Sequence, residues 1–227
     1  MSKSLGNEEV KVEAFTICVN YSDYLEYTLP WNYQLADRFV VITSSADIDT
    51  RRLCDRLGVE CLVTDVFYDH GASFNKGAAI NEGFKTIQFN DWVLHIDSDV
   101  IVLGDWERVK RSLPSKRKDH IYGIDHRLGL SGSHEDLLNW INKYSKRKEE
   151  LEYIDNTGFG PLGYFQLFHS SYFEKYPRSQ WYPWMFSGCN ESDLFFNGQF
   201  KGHEFLDLEC IHFGECGKNW FGRKAEV

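Results

Sequence analysis

No stretch of the 227 residues approaches the roughly twenty consecutive apolar residues of a membrane-spanning helix. The opening segment Met1–Val10 is polar and unlike a signal peptide. Together these absences make the cytoplasm the expected address, with reducing conditions and no membrane insertion. Repeats, low-complexity segments and Pro/Gly/Ser-rich linkers are also missing, so a single domain over 1–227 is expected. No G-x-S-x-G elbow occurs, which argues against a covalent hydrolase. None of the six cysteines forms a C-x-x-C pair. Cys18, Cys54 and Cys61 lie in apolar periodic segments and read as buried thiols. Cys210, His212 and Cys216 could make a structural zinc site, although the compact knuckle spacing is absent. An excess of positive charge is lacking as well. A net charge of −9 opposes a sequence-blind grip on DNA or an anionic membrane. The short basic runs Lys116–Lys118 and Lys146–Lys148 read as solvated surface.

What is present is apolar and aromatic: 42% hydrophobic and 16% aromatic residues suffice for a sizeable core. The first half alternates strand and helix patterns. Val12–Asn20, Phe39–Thr43, Glu60–Thr64 and Trp92–Ile96 are expected strands. Ile48–Leu57, stopped by Gly58, and Asn75–Phe89 are expected helices. The alternation predicts an α/β fold: a mostly parallel central sheet with helices on both faces. Ligands bind such sheets at the carboxyl ends of the strands, where Asn20, Thr43 and Asp97 fall. The second half is less regular. A helix is expected at Glu135–Glu149, a Gly-rich loop at Gly158–Gly163, a strand at Tyr164–His169, a helix at Glu191–Gln199 and a strand at Glu204–Leu208. This half is expected to complete the pocket.

The sharpest motif is Asp97-Ser98-Asp99, directly after the apolar run Trp92–Ile96. A strand end would leave both carboxylates on one side, with Ser98 turned away. Paired carboxylates repel unless a cation neutralises them, so the pair suits Mg²⁺ or Mn²⁺. The bland alternative is a strand-to-turn connection, since Asp and Ser favour turns. Upstream, Ser73–Gly83 contains Lys76-Gly77-Ala78-Ala79-Ile80-Asn81. Gly77 and the small residues after it would let a ligand approach the free N–H groups of a helix start, with Lys76 adding charge. Plain capping by Asn75 would explain the alanines but not Lys76 and Asn81.

In this order the pieces resemble the GT-A glycosyltransferases, above all family-two-like members with a strand, an N-K/R-G-x-A-x-N helix and a D-x-D. The resemblance runs from about Val12 to Arg223 and implies a nucleotide-sugar donor. It implies that residues 12–105 form the donor half and 120–223 the acceptor half with a closing tail. Cys18-Val19-Asn20-Tyr21 resembles the first strand, whose end contacts the base. Asp47 or Asp49 resembles the acid used on base or ribose, and Lys76 and Asn81 belong to the donor helix. Asn190-Glu191-Ser192-Asp193-Leu194 resembles the acidic acceptor-side motif, with Asp193 the first choice of catalytic base and Glu191 the second. These acids would also suit a helix N-terminus. His212-Phe213-Gly214 resembles the third metal ligand, and Arg223 or Lys218 could clamp the diphosphate. Gly158–Gly163 would face the donor sugar or acceptor, and Trp181, Tyr182 and Trp184 could stack on a sugar or a base or serve as core. A clear E-D pair and a Q-x-x-R-W segment are absent, which argues against a processive synthase and leaves the stereochemical outcome open. The acceptor is left open among a glycan, a protein, a small molecule and a modified DNA base. Two rivals stand behind this reading: a metal-dependent nucleotidyltransferase, which usually opens with a Gly-rich signature, and a non-catalytic carbohydrate- or nucleotide-binding module.

Overall fold

The computed structural model describes residues 9–89, 91–130, 139–140, 152–154, 160–174, 176–183 and 190–214, without the side chains of 152–154, 179 and 190–191. The elements in chain order are β1 (Val12–Ile17), α1 (Ser22–Asn32), β2 (Arg38–Thr43), α2 (Ile48–Leu57), β3 (Glu60–Val63), α3 (Lys76–Lys85), β4 (Trp92–Ile96), β5 (Val100–Leu103) and α4 (Trp106–Ser112). They continue with β6 (His120–Gly123), β7 (His126–Leu130), β8 (Glu152–Ile154), β9 (Phe165–His169), α5 (Asn190–Asn197), β10 (Gly202–Phe205) and β11 (Glu209–Phe213).

Seven strands form the central sheet in the order β10-β6-β9-β4-β1-β2-β3. The pairs β1–β2, β1–β4, β2–β3 and β10–β6 are parallel, and β9 runs against both of its neighbours. The expected α/β architecture is therefore present. Alternation within the strands builds two cores. Val12, Ala14, Phe39, Val41, Trp92 and Leu94 pack with α1, α2 and α4 on one face, and Phe15, Ile17, Val40, Ile42 and Val93 pack with α3 and Phe196 of α5 on the other. Burial on both faces explains why these strands read as continuous apolar runs. Among the described residues no helix is long and apolar enough to cross a membrane.

Two features differ from the sequence reading. Residues 22–32, assigned no helix from sequence, form α1, which buries Tyr24, Leu25, Thr28, Leu29 and Asn32 on one side despite Pro30 near its end. A second, four-stranded sheet, β5-β11-β7-β8, was not expected either. The expected helix at Glu135–Glu149 lies outside the described residues except for 139–140, which are helical.

One buried charge ties the first strand to its surroundings. Glu13, fully buried, pairs with Arg38 at 2.6 Å and accepts the Gln88 and Phe89 N–H groups at 2.9 and 2.7 Å. Glu13→Ala strands two amide donors and takes one partner from the Arg38 guanidinium, which keeps Glu60 and the Thr86 carbonyl. It should cost about 2–4 kcal/mol in a urea unfolding experiment, mostly from the two unsatisfied donors. A loss below about 1 kcal/mol would show that the pair is dispensable.

Candidate active site

The D-x-D segment is a turn rather than an extended strand end. It links β4 of the central sheet to β5 of the second sheet. Helix α1 holds it from beneath: Thr28 donates to the Ser98 carbonyl at 2.6 Å, and the Asn32 amide bonds Val100 O and Val102 N at 2.7 and 3.1 Å. Ser98 is buried, Asp97 keeps a quarter of its side chain exposed and Asp99 about a tenth. The third residue arrives by register. Strand β11 runs antiparallel to β5 with His212 opposite Val100, and the Phe213 N–H bonds the Asp99 carbonyl at 2.8 Å. His212 Nε2 then lies 3.2 Å from Asp99 Oδ1. Ligand atoms of Asp97, Asp99 and His212 all fall within 4.8 Å of one another. Two hard carboxylate oxygens and one imidazole suit Mn²⁺ or Mg²⁺, so the donor set fits such an ion.

Lys76 sits at the first turn of α3, capped by Asn75, whose side chain accepts from the Ala78 N–H at 2.9 Å. Its ammonium lies 2.5 Å from Asp97 Oδ1. Burial works against the charge of both groups, but each holds the other ionised. The Lys76 ammonium keeps Asp97 below the usual carboxylate range, and Asp97 with Asp193 keeps Lys76 above the usual lysine value. Asp193, on α5, is buried and is pushed the other way. Desolvation raises its pKa, against the pull of Lys76. Its Oδ2 accepts the Gly163 N–H at 3.0 Å and its Oδ1 meets the Tyr182 hydroxyl. Beneath this group His95 is fully buried, and desolvation together with Lys76 lowers its pKa to about 4, so the ring is neutral near pH 7.

No family model and no curated protein matches the sequence. Among solved structures, a mannosyltransferase from Pyrobaculum calidifontis, in complex with GDP-Man and Mn²⁺, is similar over 94% of this chain with a TM-score of 0.56 and 11% identity. Glucosyl-3-phosphoglycerate synthase from Mycobacterium tuberculosis, in complex with Mn²⁺, UDP and phosphoglyceric acid, is similar over 92% of this chain with a TM-score of 0.54 and 13% identity. Both are GT-A glycosyltransferases. The fold is GT-A. The chain spans 59% of the length of the mannosyltransferase and 71% of that of the synthase.

Within the GT-A frame the remaining residues of interest fall into three groups. Asn20 is exposed at the end of β1 with φ of 61°, in the left-handed region that asparagine tolerates better than most side chains. Asp47 makes that turn: its carboxylate accepts from the Asn20 N–H at 2.7 Å, from the Thr50 N–H at 3.0 Å as the cap of α2, and from the Thr50 and Thr43 hydroxyls. Three of these donors meet Oδ2 and one meets Oδ1, while Asp49 is exposed in the first turn of α2. Asn81 is likewise engaged, by the backbone of Tyr182, and the close approach that Gly77 permits is to the Pro183 carbonyl rather than to open space. Lys218, Arg223, Cys216 and Trp184 lie outside the described residues, as does the side chain of Glu191.

Sequence reading missed Arg127. This buried side chain of β7 stacks over the Tyr164 ring, 4.7 Å from its centroid, and donates to His212 Nδ1. Arginine only donates, so Nδ1 accepts and Nε2 carries the proton aimed at Asp99. Holding a metal through Nε2 requires the opposite tautomer, and so requires Arg127 to turn away from Nδ1. No local pattern marks Arg127. Only the β7–β11 pairing brings it beside His212.

Proposed function

We propose that the chain is a metal-dependent glycosyltransferase that moves a sugar from a nucleotide-sugar donor to an acceptor hydroxyl. The convergence of Asp97, Asp99 and His212 at the carboxyl end of a GT-A sheet carries this reading. The presence of Mn²⁺ with a nucleotide or nucleotide sugar in both solved neighbours supports it. A divalent cation in this set, Mn²⁺ or Mg²⁺, would neutralise the donor's diphosphate and stabilise the departing nucleotide. Asp97 and Asp99 come from residues 12–105 and His212 from 120–223, so the metal set joins the donor half to the acceptor half.

The chain's own residues take the other roles. Lys76, kept cationic beside Asp97, supplies positive charge at a helix start, where a diphosphate is favoured. Asn20 and the turn shaped by Asp47 lie at the ends of β1 and β2, on the side proposed for the nucleoside. Asp193 takes the proton of the attacking hydroxyl in an inverting displacement. Its raised pKa suits that role, because a carboxylate held above its ordinary value is a better proton acceptor.

A thermal-shift screen of UDP-, GDP-, ADP- and CMP-sugars, with and without Mn²⁺, tests the proposal. One donor class should raise the melting temperature, and do so more strongly with the metal. If no donor shifts it under either condition, the proposal fails. A second test isolates His212. His212→Ala should weaken the apparent Mn²⁺ affinity by about 10–100-fold, while nucleotide affinity without metal is unchanged by calorimetry. Equal losses in both would remove His212 from the ligand set.

A further inference from the structure

Helix α3 directs two of its motif residues at a segment more than a hundred positions away. Asn81 Nδ2 donates to the Tyr182 carbonyl at 2.8 Å and Asn81 Oδ1 accepts the Tyr182 N–H at 2.8 Å, so both backbone polar groups of Tyr182 are clamped. One turn earlier, a Cβ on Gly77 would lie 2.1 Å from the Pro183 carbonyl oxygen, a distance no side chain allows. Only glycine lets residues 182–183 lie against the helix there.

The Tyr182 ring fixed in this way is buried and stacks on Phe196 of α5, with centroids 4.5 Å apart. Its hydroxyl reaches Asp193 Oδ1, and Gln166 Oε1 lies on the other side at 3.2 Å. Gln166 is itself oriented, bonding His95 Nδ1 at 3.1 Å and donating to Asn197 Oδ1 at 3.0 Å. The opposite flank of the Asp193 carboxylate is closed by Gly163, where a Cβ would meet the carboxylate oxygens at 2.4 and 2.6 Å. Both carboxylate oxygens are thus held by protein donors.

We infer that Tyr182 is a positioning residue for Asp193: α3 holds its backbone, and its hydroxyl donates to Oδ1, orienting the carboxyl and favouring its ionised, proton-accepting form. The inference rests on the reading of Asp193 as the base. The groups facing Asp193 are Lys76 from α3, Asp97 from the β4–β5 turn, the Tyr182 hydroxyl and the Gly163 N–H. Burial and the Asp97 charge favour the protonated carboxyl, while Lys76, Tyr182 and Gly163 favour the carboxylate. Removing the Tyr182 donor therefore moves the ionisation of Asp193 upward.

The test is Tyr182→Phe in the full chain, which keeps the ring and its stacking. With ¹³C-carboxyl-labelled aspartate, NMR titration follows Asp193, assigned as the resonance that Asp193→Asn removes. Its midpoint should rise by about one pH unit in Tyr182→Phe, as expected for one lost hydrogen bond to a charged group. An unchanged midpoint overturns the inference. In parallel, nucleotide release from UDP-glucose and GDP-mannose with Mn²⁺, water acting as acceptor, gives a pH profile. The acid limb of kcat should move up by the same amount with the donor KM unchanged. If Asp193→Asn keeps full turnover, the base reading fails, whereas the NMR midpoint still decides whether Tyr182 governs Asp193. If Asp193→Asn is slow and Tyr182→Phe alters neither limb nor midpoint, only the inference about Tyr182 fails.

Discussion

Asp193→Asn should slow sugar transfer by about 10²–10⁴-fold, the range expected when a positioned general base is lost. The substitution is conservative in shape. The new amide oxygen can accept the Gly163 N–H, and its nitrogen can donate to the Tyr182 oxygen, so the packing around Gly163 and Tyr182 is preserved. Asparagine cannot take a proton from an acceptor hydroxyl at neutral pH. Donor and metal affinity should survive, because Asp193 is outside the set formed by Asp97, Asp99 and His212. Glu191→Gln serves as the comparison, since a helix-start acid contributes only about 1 kcal/mol through the dipole. If Asp193→Asn retains transfer and Glu191→Gln loses it, the roles exchange. If both retain it, the base is another group or the reaction is retaining, and the anomeric configuration of the product by NMR distinguishes the two.

Asp97→Asn and Asp99→Asn should each lower donor affinity in the presence of Mn²⁺ by about 10²-fold or more, towards the metal-free value. An asparagine oxygen at 97 can still accept from Lys76, which also remains in the fields of Asp193 and Asp99, so the fold should persist. Calorimetric titration of UDP-glucose and GDP-mannose, with and without Mn²⁺, measures the effect, and melting temperature checks the fold. Near wild-type turnover in either variant with Mn²⁺ would remove that carboxylate from the metal set.

How much of this was legible in the sequence depended on whether the cause was local. Strands β1, β2 and β4 are buried on both faces, so they stand out as unbroken apolar runs. Helix α2 announces its own stop at Gly58, whose φ of 66° is the left-handed cap. Asp97 and Asp99 were visible because a polar pair ends such a run, although the turn that bends them together was not. Helix α1 escaped notice: its buried face is built partly from Thr28 and Asn32, and Pro30 disguises its last turn. The second sheet depends on pairings such as His212 with Val100, which no window along the chain contains. For the same reason Asn81, legible as part of a donor-helix motif, gave no sign that its amide would hold Tyr182.

Whether Asp97, Asp99 and His212 hold one divalent cation for a nucleotide-sugar donor is decided by electron paramagnetic resonance titration of Mn²⁺ into the full chain with UDP or GDP present. Saturation is expected at one bound Mn²⁺ per chain, tightened by one of the nucleotides and abolished by Asp97→Asn and by Asp99→Asn. Mn²⁺ uptake that is absent, or that persists unchanged in both variants, would contradict it.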